Sequence, residues 1–462
     1  MCLYCQNKAI LLLRENLSIF IDFVLFMLKD YTIFNRTKYF LSSNKSLVKG
    51  GLFSIYSFIN RGFAFVLLLI LANYIAPAEY GYLSLFSTVV MVLGYFMALS
   101  SEGYMSISYF SEGESGIKKS FSCILAICIC ISFILCLVLV ALGDDLSRLL
   151  DLEESIVFYA VVIAFFTVFN NLLLDLFRIR EKVVIYGWLS CGSALLNFII
   201  SIIFVKGLLL SWQGRVYAWM GCTILFGLIG LWYFFKSGYF TFKIRTYFKP
   251  ILFWSIPLIP HLATAFIRQG CDRYIINYHH TIEDVGLFSF ALNLVGIITM
   301  IGFGFNQSNS VDIYKVLGDK VIPITQKLQH LAKNRKIFLY LYLMVTLIIT
   351  VLGYILVPII LPKYGDAMDY FTILSIYGFF VCVYLVYTNY LFFFKKTRFL
   401  MYITVSSALL HLLLSLWLTR YSLYATALLY GITQAGTAIA VAITSMRELR
   451  IWSNGVTESM NA

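Results

Sequence analysis

The residues of this chain best placed to do chemistry are charged side chains embedded in apolar stretches. Arg61 lies about eleven residues into the apolar run 51 to 72, between Asn60 and Gly62. Arginine at a bilayer centre costs roughly 2.5–3.5 kcal/mol on insertion scales, so it must face a wet cavity or a partner. Pairing with Glu102 or Asp175 purely for packing is the plain alternative. A second cluster is Arg268, Asp272 and Arg273, with Arg268 and Asp272 at i,i+4 and therefore on one helical face. Its plain alternative is an interfacial ion cluster whose side chains reach water. Guanidinium groups match phosphate oxygens bidentately and stay charged at any relevant pH, so a cavity holding Arg61, Arg268 and Arg273 suits an anionic, phosphate-bearing ligand. Groups able to support or couple ion movement are few: Asp272, Glu102, Asp175 with Arg178 at i+3, and His411, which titrates near neutral pH when unperturbed. Ion pairing of the acids at the interface and a packed neutral His411 are the alternatives. Pro257 and Pro260, near His261, predict a bend whose freed carbonyls must be satisfied inside the protein, and such a bend could gate.

Other chemistry is poorly supported. Asp144 and Asp145, in the acidic stretch 143 to 155, could mimic the metal-binding pair of a sugar transferase, but read more simply as a solvated outer loop. There is no G-x-x-x-x-G-K-[ST], so ATP hydrolysis is not supported, and His279-His280 has no further ligand at useful spacing. Cys2-x-x-Cys5 lacks the second ligand pair of a zinc site. Most of the ten cysteines lie inside apolar runs as small packing residues. No catalytic residue and no metal site are expected.

The elements that position these groups are membrane helices. Hydrophobic residues make up 61% of the 462 and charged residues 13%, about half the usual charged share, which excludes a two-domain soluble enzyme. Twelve apolar runs are each long enough to cross roughly 30 Å of hydrocarbon. They centre on 51–72, 82–101, 120–142, 156–176, 184–205, 216–235, 251–272, 286–307, 337–357, 370–393, 400–418 and 424–445. With the region before residue 51 placed in the cytoplasm, 27 of the 35 Lys and Arg fall on the inner side, seven on the outer side or outer helix ends, and Arg61 alone lies mid-span. The +12 net charge thus reads as membrane orientation with both termini cytoplasmic, and a nucleic-acid partner is not expected. Residues 10 to 28 carry Arg14, Ser18, Asp22 and Lys29 on one face, the pattern of an interfacial helix.

Two internal matches divide the chain. Glu79-Tyr80-Gly81-Tyr82-Leu83-Ser84 corresponds to Asp284-Val285-Gly286-Leu287-Phe288-Ser289 at an offset of 205, and SALLN at 193–197 to SALLH at 407–411 at an offset of 214. Each links span n to span n+6, which argues for two parallel six-helix halves. The expected organisation is an all-α polytopic membrane protein with a cytoplasmic extension 1–50, a first half 51–236, a second half 237–446 and a tail 447–462, the two bundles enclosing a central cavity. Halves that rock about a site at their interface give alternating access, which is transporter architecture. Gly81 and Gly286 suit tight outer turns leading into helices, a gate or hinge position.

On IAPAEYGYLSLFS at 75–87, SIPLIPHLATAFIRQGCDRYIINYHHTIEDVGLFSFALNL at 255–294, and the SALLN/SALLH pair, the sequence resembles the polysaccharide branch of the multidrug/oligosaccharidyl-lipid/polysaccharide exporter superfamily, in particular bacterial O-antigen flippases. The family's Asp-Arg pair maps onto Asp272 and Arg273, and its acid-x-Gly corners onto Glu79/Gly81 and Asp284/Gly286. The resemblance implies a flippase of the bacterial inner membrane that carries an undecaprenyl-diphosphate-linked oligosaccharide from the inner to the outer leaflet, beside polymerase and chain-length proteins of glycan assembly. It implies no cofactor, with coupling to an H+ or Na+ gradient. Arg61 would then attract the diphosphate or an acidic sugar. The first 45 residues, and LLLSWQGRVYA and TRYSLYATA where Gly-rich connections are expected, depart from the family. A drug or cation antiporter of the same superfamily, or a membrane enzyme such as an O-antigen polymerase, are the competing readings.

Overall fold

A computed structural model describes residues 45–242, 244–256, 264, 266–268, 270–319 and 321–461. The amphipathic stretch 10 to 28, Pro257, Pro260 and His261 lie outside them. The described residues are helical with short connections and contain no strand. In chain order the helices are α1 (Lys45–Tyr74), α2 (Pro77–Met97), α3 (Glu102–Glu112), α4 (Glu114–Leu150), α5 (Glu154–Ile179), α6 (Val183–Ile202, extended by a π turn Ile203–Gly207), α7 (Ser211–Lys236), α8 (Arg245–Ser255), α9 (Cys271–His279), α10 (Ile282–Gly318), α11 (Ile324–Ile360), α12 (Ala367–Phe393), α13 (Thr397–Leu418) and α14 (Leu423–Asn461).

Among the described residues, ten helices are long and apolar enough to cross a membrane. The other two expected spans are α1, whose apolar part is Phe58–Tyr74, and the seventh, divided between α8 and α9. One detail differs from the sequence reading. The acidic stretch at 143 is not a loop: α4 continues to Leu150 after a kink at Leu142, so Asp144 and Asp145 are helical and the connection to α5 is three residues. Helix α14 runs on past residue 446 to Asn461.

Packing sorts the helices into two groups. In the first, α5 packs on α7 and α2, and α1 on α6. In the second, α12 is central, against α10, α11 and α14, with α13 on α14. The loop between α7 and α8 holds the expected boundary at 236, yet α8 packs on α3 and α4, so by contact the first group includes it. The main contact between groups is α2 against α10.

That contact is the repeat seen in the sequence. Pro77 opens α2, where its missing N–H is not needed, and the Glu79 carboxylate reaches back to the Ala76 N–H at 2.9 Å. Thr281 caps α10 through a reciprocal box with Asp284, each bond 3.1 Å. In both corners the acid at the third helical position accepts from the backbone N–H of the residue before the helix. The glycines two residues on lie within the helices and neither has a left-handed backbone, so they are not turn residues. A Cβ on Gly81 would lie 2.2 Å from the Ile282 carbonyl oxygen, and one on Gly286 1.8 Å from that of Pro77. Pro77 and Ile282 are themselves related by the offset of 205. The two helices therefore cross with approximate two-fold symmetry, each glycine admitting the other's first turn.

Further bonds between the groups lie at this same end. Asn293 Nδ2 donates to Tyr80 Oη at 2.7 Å, and Tyr364 Oη to the Ile75 carbonyl at 3.0 Å. The ring of Phe290 lies 4.3 Å from Tyr364 and 5.9 Å from Tyr80. Farther along the same helices, Phe96 of α2 and Phe303 and Phe305 of α10 are exposed. The groups are thus sealed where α2 and α10 begin and separate toward the opposite end.

Candidate functional site

Arg61 is positioned by its neighbour. Asn60 Nδ2 donates to the Ser190 carbonyl at 3.3 Å and its hydroxyl at 3.1 Å, which fixes one face of α1 against α6. The next residue is turned by about 100° around the helix. Arg61 accordingly points away from α6 and lies over the Phe303 ring of α10, 5.7 Å from its centroid, so its guanidinium spans the gap between groups. It is exposed, like Ile55 and Phe58 one and two turns earlier, and forms no ion pair among the described residues. Thirteen residues separate it from Tyr74, placing it about 20 Å from the sealed end. Neither acid considered as its partner reaches it: Asp175 pairs with Arg178 at 2.7 Å, and Glu102 opens α3 beside Asn171 and Asp175.

Arg268 and Asp272 share a face, as their spacing requires, but that face turns into the second group. Arg268 donates to Gln434 Oε1 at 2.6 Å, Thr437 Oγ1 at 3.2 Å and the Thr404 carbonyl at 3.3 Å. Arg61 faces the gap while Arg268 is bonded into the bundle, so the structure does not bring these two cations together. Arg273, turned to the other side of the helix, donates to Thr88 Oγ1 at 2.9 Å and the Ser84 carbonyl at 3.3 Å, fastening α9 to α2 of the first group.

Asp272, 1% exposed, is joined to His411 of α13 at 2.7 Å (Oδ2 to Nε2) and accepts a bond from the Ser415 hydroxyl. His411 Nδ1 lies 3.1 Å from Thr433 Oγ1, and the Thr433 hydroxyl donates to the Leu429 carbonyl at 2.8 Å. With that hydroxyl committed as a donor, Thr433 accepts from Nδ1–H of His411. Nε2 and Oδ2 then share a single proton: either imidazolium faces carboxylate, or neutral imidazole accepts from carboxylic acid. Both forms carry no net charge, which is what full burial favours.

The first half holds a related arrangement that the sequence reading missed. Asn197 and Ser201 of α6 stand 214 residues before His411 and Ser415, and they hold Arg215 of α7, whose Nη1 donates to Asn197 Oδ1 at 2.6 Å and Ser201 Oγ at 3.2 Å. Arg215 is bonded into the bundle rather than extended to the outer surface. The signal was available: SALLN and SALLH are each followed four residues on by Ser. Among the described residues no group of three or more His, Cys, Asp or Glu could hold a metal ion.

This combination of a two-group helical membrane fold with few, buried charges defines the class, and comparison gives the family. Residues 47–311 match the family described as "Polysaccharide biosynthesis protein", and the chain belongs to it. Two relatives come from Haemophilus influenzae. "Lsg locus putative protein 1" is 22% identical over 363 residues, covering 75% of this chain and 84% of the relative. An "Uncharacterized membrane protein" is 21% identical over 354 residues with the same coverage. The fold is that of solved transporters of the MOP superfamily. A multidrug resistance MATE family transporter in its inward-facing conformation superposes with a TM-score of 0.67 at 14% identity, over 86% of this chain and 95% of that one. A structure described as the outward-facing conformation of a multidrug resistance MATE family transporter scores 0.58 at 14% identity, over 87% and 94%.

Proposed function

We propose that this chain is a flippase of lipid-linked oligosaccharide. It would carry an undecaprenyl-diphosphate-linked glycan, an O-antigen unit or similar, across the bacterial inner membrane by alternating access, acting as a transporter rather than an enzyme. The observation that carries the reading is Arg61: an exposed guanidinium on a membrane-spanning helix, facing the opposite group and free of any described carboxylate, in a chain of the polysaccharide biosynthesis family. A cation in that setting suits a diphosphate, which offers several anionic oxygens to its planar fork. The opening lies on the side where α1 begins and most Lys and Arg fall, so loading from the cytoplasmic leaflet follows. Asp272 and His411, which share one proton, are the groups proposed to couple the cycle to a proton gradient. The Asp175–Arg178 ion pair, with Glu102 and Asn171 beside it, is read as a structural brace.

The test is Arg61→Ala in a strain whose surface glycan depends on the protein. The variant is expected to insert normally and to lose glycan at the outer leaflet, with Arg61→Lys retaining part of the activity through charge alone. Normal surface glycan in the alanine variant removes Arg61 from the route. A drug or cation antiporter is the second reading, favoured by the buried carboxylate of Asp272. It predicts that Asp272→Asn abolishes export while Arg61→Ala does not.

A further inference from the structure

The first half holds a partly open cavity of about 310 Å³ between α1, α5, α6 and α7, lined by Asn60, Asn170, Asn197, Thr223, Trp219 and Arg215 among others. At about 30 Å³ of liquid volume per water, it has room for about ten waters. Arg215 is its only charged lining residue. One edge of its guanidinium is bonded to Asn197 and Ser201, and the Trp219 ring lies 5.5 Å from its Cζ. Its Nε and Nη2 make no hydrogen bond among the described residues, and no described carboxylate pairs with it. A cation held inside a bundle in this way is costly without a counter-charge.

The second half shows what is missing. There the matching pair, His411 and Ser415, holds the carboxylate of Asp272. The first-half position corresponding to Asp272, by the offset of 205, is Leu67, and Leu67 lines the cavity. Equivalent scaffolds thus hold groups of opposite type, a carboxyl in the second half and a guanidinium in the first. The second half supplies its own acid, whereas the first has a cation, two amide-lined walls and a space beside them.

We propose that this cavity is a binding site for a monovalent anion, a halide or the carboxylate of a single sugar acid, held by the free edge of Arg215 with Asn170 and Thr223 as further hydrogen-bonding groups. The site is built on Arg215 inside the first half and not on Arg61 over the gap, so it is distinct from the Arg61 route and goes beyond the flippase reading.

Thermal unfolding of the purified full chain in detergent tests it, with sodium bromide or sodium glucuronate titrated while a bulky sulfonate buffer salt holds ionic strength constant. The wild type is expected to show a saturable rise in midpoint. Arg215→Gln is expected to lose it. Ala194→Leu, which keeps Arg215, Asn197 and Ser201 and fills the void, is expected to lose it too, and this guards against misfolding of the first variant. A response to both anions assigns the carboxylate class, and a response to bromide alone assigns a free halide. A non-saturable rise in the wild type, or a saturable one that persists in Ala194→Leu, overturns the site. Because binding is read on purified protein, this outcome is independent of whether surface glycan depends on Arg61.

Discussion

At the residue scale, the shared proton between Asp272 and His411 makes a prediction that separates hydrogen bonding from bulk. Asp272→Asn keeps the side-chain volume, accepts from Ser415 and donates to neutral His411, so it imitates the acid form. Its stability is expected to stay within about 1 kcal/mol of wild type. Asp272→Ala leaves Ser415 and His411 buried without their partner, and is expected to cost about 1–3 kcal/mol. Thermal unfolding of the two variants in detergent compares them, and equal losses would contradict the bonding assigned here. The sequence exposed these residues only singly. Asp272 and His411 stand out as polar groups in apolar runs, but 139 positions separate them, and nothing in local spacing tells that α9 and α13 meet. Arg268 shows the converse: its i,i+4 relation to Asp272 was legible, while the direction of their common face was not, because that depends on which helix packs beside it.

At the element scale, the crossing of α2 and α10 depends on two missing side chains. Gly286→Ala places a methyl 1.8 Å from the Pro77 carbonyl, and helix backbones cannot yield locally as a flexible side chain would. The helices must separate, at an expected cost of about 1–3 kcal/mol typical of overpacking. Gly62→Ala, where an added Cβ meets nothing within 4 Å, serves as the control and is expected to be neutral or mildly stabilising. Unfolding midpoints of the two variants are the check, and parity between them would mean the crossing is not tight. Here the repeat was legible in the sequence, but its meaning was not. An acid-x-Gly pattern reads the same whether glycine supplies a turn or a close approach, and only the helical backbone at Gly81 and Gly286 decides. Helix α3 escaped notice for a related reason: at 11 residues, it is too short to give a strong periodic signal.

At the scale of the whole molecule, membrane character, span number and the two-fold repeat follow from hydropathy and offset, because each is a property of long stretches. Which end of the gap is closed is decided instead by a few contacts. Tyr80 to Asn293 and Tyr364 to Ile75 are two tyrosine hydroxyl bonds at the seal, beside the bonds of Tyr274 and Arg273 of α9 to α2, and both must break if the groups are to part where α2 and α10 begin. Changing both tyrosines to phenylalanine keeps the rings against Phe290 and removes only the hydroxyls. Each such bond is worth about 1 kcal/mol net, so losing one shifts a two-state equilibrium roughly fivefold toward the form open on that side. Ser84 is 4% exposed at this seal, so Ser84→Cys in a cysteine-free background reports opening. A membrane-impermeant thiol reagent added on the side where α2 begins is expected to label that cysteine up to roughly thirtyfold faster in the Tyr80→Phe/Tyr364→Phe protein, where both bonds are lost. Under the proposed alternating access, opening one end closes the other, so reagent confined to the opposite side is expected to show no such gain. Unchanged labelling from both sides would mean that the glycine crossing, the packed rings and the bonds of α9 to α2 hold the seal without these two hydroxyls.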